Sequence, residues 1–105
     1  MNEENAKAQM RKGVLELCVL RIVRADEVYT SDITERLKAA EMLVVEGTLY
    51  PLLTRMKNAG WLSYRWEESK SGPPRKYYQI TPSGEIFLGQ LEKEWKAFTQ
   101  AVDSL

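Results

Sequence analysis

Glu46-Gly47-Thr48-Leu49-Tyr50-Pro51-Leu52-Leu53-Thr54-Arg55-Met56-Lys57-Asn58-Ala59-Gly60 is the stretch that decides the fold. Leu49, Leu52, Leu53 and Met56 recur at i, i+3, i+4 and i+7, which gathers them on one face of a 3.6-residue helix and turns that face inward. Pro51 suits a helix start, where a missing N–H has no intrahelical acceptor to disappoint, so the helix is predicted to begin near Glu46 to Thr48. Gly60 is the expected C-terminal stop. At 100° per residue, Gly47, Pro51, Thr54 and Asn58 project opposite the apolar face, with Tyr50 and Arg55 beside them. This outer ridge is small and nearly uncharged at its start. It is either an ordinary solvated face or one that lets backbone N–H groups approach phosphate while Thr and Tyr hydroxyls reach sugar or base edges.

Downstream, Trp61-Leu62-Ser63-Tyr64-Arg65-Trp66 and Lys76-Tyr77-Tyr78-Gln79-Ile80-Thr81 are rich in strand formers and read as two antiparallel strands. The Gly, Pro and Ser content of Glu67 to Arg75 predicts a loop there, with Lys70, Arg75 and Lys76 around its tip. Between residues 55 and 77, Arg55, Lys57, Arg65, Lys70, Arg75 and Lys76 outweigh Glu67 and Glu68, a local sum of +4 in a chain of zero net charge. A helix followed by a basic hairpin is the plan of a winged helix-turn-helix, the helix in the major groove and the wing along the backbone. Tyr77 and Tyr78 alternate across the ribbon, so one is expected in the core.

Gly47-Thr48-Leu49-Tyr50-Pro51-Leu52-Leu53, Gly60-Trp61-Leu62, Gly72-Pro73-Pro74-Arg75-Lys76-Tyr77-Tyr78 and Ile80-Thr81-Pro82-Ser83-Gly84, in that order, resemble the pattern of the PadR family of bacterial transcriptional regulators. The resemblance runs from about Gly13 to Leu105. It implies a homodimeric winged-helix repressor of the small subtype, with a single C-terminal helix. Val28-Tyr29-Thr30-Ser31 departs from the pattern in lacking a Gly-Tyr pair before the second helix. In some PadR-like repressors an aromatic near the place of Trp95 helps form a ligand cavity at the dimer axis. The resemblance therefore implies Trp95 as a contact for a small planar, apolar or aromatic effector, stacking on it; the alternative is that the ring is only an interface anchor.

One hundred and five residues, 44% hydrophobic and 29% charged, make one globular α+β domain, mainly α. With 15 basic against 15 acidic residues the chain is no general nucleic-acid coat, so DNA binding depends on local charge. The absence of a basic stretch leading into a long apolar run points to the cytoplasm, with no membrane partner. Cys18, the lone cysteine, sits in the apolar run Val14 to Leu20 and reads as a buried structural thiol rather than a redox sensor.

Residues 1–12 are polar and expected to be frayed before a buried helix from Gly13 to Arg24. Asp26 to Tyr29 reads as a turn. Thr30 or Ser31 is the expected N-cap of a second helix through Ala40, with Ile33, Leu37 and Ala40 inward. Leu43-Val44-Val45 reads as an extended link, a candidate third strand. Thr81 as N-cap and Pro82 at the first helical position start the last helix. From there Leu88, Leu91, Trp95, Phe98, Val102 and Leu105 follow steps of three and four, a seam that predicts dimerisation through this helix and residues near the N-terminus, the alternative being that it folds back over the protomer's own first helix. Residues 1–81 are accordingly assigned to DNA binding and 82–105 to dimerisation, and two-fold symmetry predicts a palindromic operator.

The expected DNA contacts are Thr30 and Ser31 at the second helix, Gly47, Thr48, Tyr50, Pro51, Thr54 and Arg55 at the major groove, and Lys70, Arg75 and Lys76 on the wing. The partners are double-stranded DNA and a second copy of the chain. With no His, no phosphate loop, no nucleophile elbow and no metal-spaced Cys set, neither an enzyme, a metal nor a cofactor is expected. The alternative reading is a winged-helix module that binds another protein.

Overall fold

The computed structural model describes residues 2–42 and 45–105. Helix α1 (Glu3–Ala25) leads into β1 (Val28–Tyr29), α2 (Thr30–Ala39), α3 (Glu46–Asn58), the ribbon β2 (Leu62–Ser69) and β3 (Gly72–Ile80), and α4 (Pro82–Asp103). The expected fraying of residues 1–12 is corrected from Asn2 onward, Met1 lying outside the described residues. Asn2 caps α1, its Oδ1 accepting the Asn5 N–H at 2.9 Å, and Glu3 and Glu4 favour the positive end of the helix dipole.

The sheet is antiparallel in the order β1-β3-β2. Its third strand is Val28–Tyr29, read as a turn from sequence, which pairs with Tyr78 and Tyr77. Of the expected link, Leu43 and Val44 lie outside the described residues. The wing loop is also corrected: the strands run on to a turn at Lys70-Ser71, with Glu67 opposite Arg75 and Ser69 opposite Gly72 across an irregularity in register. Successive N–H positions in a strand point to opposite edges, so of Pro73 and Pro74 one faces the edge that β1, reaching only Tyr77 and Tyr78, leaves free, and the other faces β2 at the irregularity between Glu67 and Ser69.

Tyr29, not Thr30 or Ser31, is the N-cap of α2, and the Asp32 carboxylate accepts its N–H at 2.9 Å. Ile33 and Leu37 point inward as expected, but Ala40 is the exposed C-cap. Helix α3 ends in paired bonds, Gly60 N–H to the Lys57 carbonyl and Trp61 N–H to that of Met56, with Gly60 at φ 86°, a conformation glycine adopts without steric cost.

The core joins Leu20 and Val19 of α1, Ile33 and Leu37 of α2, Leu49, Leu53 and Met56 of α3, Leu62 and Tyr78 of the ribbon, and Leu88 of α4. The junction of ribbon and α4 is built around Thr81. Its hydroxyl donates to the Gly60 carbonyl at 2.5 Å and accepts the Gly84 N–H at 2.9 Å, while its own N–H donates to the Trp61 carbonyl at 3.1 Å. Trp61 stacks on Phe87 of α4, ring centroids 3.8 Å apart.

Candidate nucleic-acid interface

Gly47, Tyr50, Pro51 and Thr54 form an exposed ridge along α3. Pro51 is the sixth helical residue, one turn later than the capping argument assumed, so its ring removes the bond that the Gly47 carbonyl would accept. Thr48 and Arg55 stand on a different flank. With Leu52 they line a cleft of about 190 Å³ against Lys12, Leu15 and Glu16 of α1, where Arg55 Nη2 donates to Glu16 Oε1 at 3.3 Å. The ridge and Arg55 therefore do not act from one position, a separation that α3's own periodicity does not reveal because it depends on where α1 lies.

The ribbon has two faces with different chemistry. On one, Tyr78 is buried and Tyr64 packs against it, ring centroids 5.6 Å apart. Lys76 Nζ lies over the Tyr64 ring at 4.7 Å and 5.7 Å from that of Trp66, and Lys57 Nζ reaches Tyr64 from α3 at 5.9 Å. The Tyr50 phenol stands close enough to raise the Tyr78 phenol, whose upward shift comes first from burial. This face looks toward α3.

The opposite face carries Arg75, Tyr77, Arg65 and Tyr29. Arg75 stacks on Tyr29 at 3.9 Å and Arg65 on Tyr77 at 4.6 Å. Arg65 also donates to Glu27 and Glu67, each at 3.0 Å, bonds that hold its guanidinium protonated. Arg75 thus joins Thr30 and Ser31, immediately after Tyr29, while Lys76 joins α3. Of these two, Ser31 is exposed; Thr30 is half-buried, its carbonyl accepting from the Thr34 hydroxyl. Lys70 is exposed at the tip turn. Among the described residues Lys57, Lys70, Arg75 and Lys76 form no ion pair, whereas Arg55 and Arg65 do, so the local positive charge is concentrated in four side chains.

Sequence reasoning missed Tyr64 and Trp66 as neighbours of Lys76, and Lys57 as a neighbour of Tyr64. The period-two alternation of paired strands places the two aromatics there, once Trp66 is known to face Lys76, whereas Lys57 arrives from α3 by tertiary packing.

At the far end of α4, Trp95, Phe98, Val102 and Leu105 are exposed, Phe98 by 66% and Trp95 by 39%. The seam expectation is corrected at its start: Leu88 is 1% exposed within the protomer's own core, and Leu91 is half-buried against it. Trp95 lines an open groove of about 470 Å³ with Arg21, Glu92, Lys93, Lys96 and Thr99. Arg21 grips Glu92 through Nε at 2.6 Å and Nη2 at 2.5 Å, and this bonding holds the Glu92 carboxyl below its usual range. One turn along α1, burial pushes the Cys18 thiol up, away from the thiolate form.

A short three-stranded sheet, a helix presenting a polar ridge beside a basic ribbon, and a helical core beneath define a winged-helix DNA-binding protein. The model of the Transcriptional regulator PadR-like family matches residues 19–90. A PadR-like transcription factor from Bacteroides fragilis is 55% identical, with a TM-score of 0.79 over 95% of this chain and 97% of that one. A PadR-like transcriptional regulator from Bacillus cereus is 38% identical, TM-score 0.79, over 91% and 94%. A PadR family regulator from Eggerthella lenta is 29% identical, TM-score 0.89, over 96% and 88%. The chain belongs to the PadR-like family and is a DNA-binding transcriptional regulator. Among the described residues no helix is long and apolar enough to cross a membrane.

Proposed function

We propose that the chain is a homodimeric repressor that reads a palindromic operator, residues 1–81 binding DNA and 82–105 carrying dimerisation. The observation that carries the DNA half is the polar α3 ridge standing beside a ribbon face where Lys57 of α3 and Lys76 of β3 meet over Tyr64, neither with a carboxylate partner among the described residues. A duplex lying across both places the ridge residues Gly47, Tyr50, Pro51 and Thr54 in the major groove and Lys76 on the backbone. Arg75, Thr30 and Ser31 supply a second backbone contact from the outer face, with Lys70 at the tip.

Leu91, Trp95, Phe98, Val102 and Leu105 supply the dimer seam. Its exposed apolar residues are more than a small soluble protomer ordinarily leaves to water, and Met10 of α1 adds another. Two-fold pairing sets the α3 helices about 34 Å apart, one turn of B-DNA. A planar apolar effector is placed at Trp95, in the groove bounded by Arg21 and Lys96, where binding would shift the dimer toward a spacing that no longer fits the operator.

Fluorescence anisotropy on a labelled duplex from immediately upstream of the chain's own coding region, across a salt series, tests this together with sedimentation of the complex. Tight, salt-steep binding of one dimer per site is the expected result. A folded dimer that ignores DNA, or binds with no salt dependence, overturns the DNA assignment.

A further inference from the structure

Trp66 is a large aromatic on a wing strand, 62% exposed, with no part in the core. It shares the α3-facing side of the ribbon with Tyr64 and Lys76, its indole edge-on to Tyr64 at 6.0 Å and beneath the Lys76 ammonium at 5.7 Å. An exposed indole flanked by a free cation matches the two halves of a nucleic-acid backbone: the ammonium suits phosphate, and the ring suits the apolar faces of deoxyribose. In the free protein the ring's contacts are the edge of Tyr64 and the ammonium of Lys76, which leave most of its surface in water.

We infer that Trp66 is a further DNA contact, packing its indole on the sugars of the duplex backbone next to the phosphate that Lys76 engages. The inference rests on the winged-helix reading above and extends it to a non-ionic contact. Because every nucleotide carries the same sugar, this contact is independent of sequence and releases no counterion. It therefore strengthens binding without changing the salt slope, the opposite of what Lys76 does. Covering about a third of an indole corresponds to roughly tenfold in affinity.

The test uses the full chain on two labelled duplexes, the upstream region and an unrelated sequence of equal length, over one salt series. Trp66→Thr removes the ring but keeps a strand former, and Trp66→Phe keeps an apolar ring. Circular dichroism melting confirms that both variants are folded at the assay temperature. The expected result is that Trp66→Thr weakens binding about tenfold on both duplexes at an unchanged salt slope, and that Trp66→Phe restores most of it. Wild-type affinity in Trp66→Thr overturns the inference, as does a loss confined to the upstream duplex or one accompanied by a lower slope. Failure of the wild-type chain to bind either duplex overturns the underlying DNA reading instead.

Discussion

Gly84→Ala probes the joint on which ribbon and α4 depend. A methyl group there would overlap the Trp61 carbonyl oxygen outright and stand 2.8 Å from Ile80 Cγ1 and 2.9 Å from the Trp61 carbonyl carbon. Backbone, not a flexible side-chain end, has to move. The Trp61 carbonyl accepts the Thr81 N–H, so its displacement strains that bond and the Thr81 cap with it. Overpacking costs about 1–3 kcal/mol and a weakened cap about 1 kcal/mol. The gain of Ala over Gly in helix propensity offsets about 1 kcal/mol. The net loss is about 2 kcal/mol, which lowers Tm by roughly 10 °C in a domain of this size. Gly89→Ala is the matched control: Gly89 also lies in α4, but an added methyl group meets nothing within 4 Å, so this change should stabilise by up to about 1 kcal/mol. Thermal unfolding followed by circular dichroism at fixed protein concentration reads both. If Gly84→Ala melts at or above the wild-type temperature, the close approach described for the junction is wrong.

Lys76→Ala should weaken binding to every duplex and lower the salt slope by about one unit while leaving sequence preference intact; a titration across salt in which the slope holds would remove Lys76 from the backbone contact. Phe98→Glu should shift the chain from dimer to monomer in sedimentation, since it puts a charge in the middle of the exposed seam, and an unchanged dimer would exclude α4 from the interface. Glu92 is held below its ordinary carboxylate range first by its bonds to Arg21, so its contribution to stability is present above the unfolded value of roughly 4.5. It is lost as the pH falls through the lower folded value. Solvent screening limits it to at most about 1 kcal/mol. Glu92→Gln should accordingly cost stability at neutral pH and narrow its gap to wild type under acid, as read by urea melts at two pH values; a gap that widens in acid would contradict the pairing.

Much of the fold was legible because the informative residues act locally. Leu49, Leu52, Leu53 and Met56 needed only helical periodicity, and Thr81-Pro82 only capping chemistry. The misses share a cause in tertiary context. The wing tip read as a loop because Gly72, Pro73 and Pro74 disfavour strands on average, and the free edge of β3 together with the irregular register opposite β2 makes them acceptable. Val28–Tyr29 is too short for any periodicity, and a partner strand created it. Residues 3–12 looked frayed for want of apolar residues, yet Ala, Glu, Lys, Gln, Met and Arg are strong helix formers, a signal that propensity alone offered. Leu88 fell into the dimer seam because spacing cannot tell a partner's surface from the protomer's own core. At the candidate interface the grouping of the residues was not legible: Arg75 and Lys76, neighbours in sequence, face opposite ways on the ribbon.

Thr81 fastens α4 to the end of α3 and to the root of the ribbon at the same point, so the helix has no slack where it meets the reading head. Its 22 residues extend about 33 Å at 1.5 Å per residue. Mechanically it is a rigid arm: a swing of about ten degrees around its distal end carries the Thr81 joint roughly 6 Å, close to two base-pair steps. In the dimer proposed above, a change of angle too small to disturb contacts inside the protomer would thereby be geared up into a displacement that a DNA site feels as a different ruler.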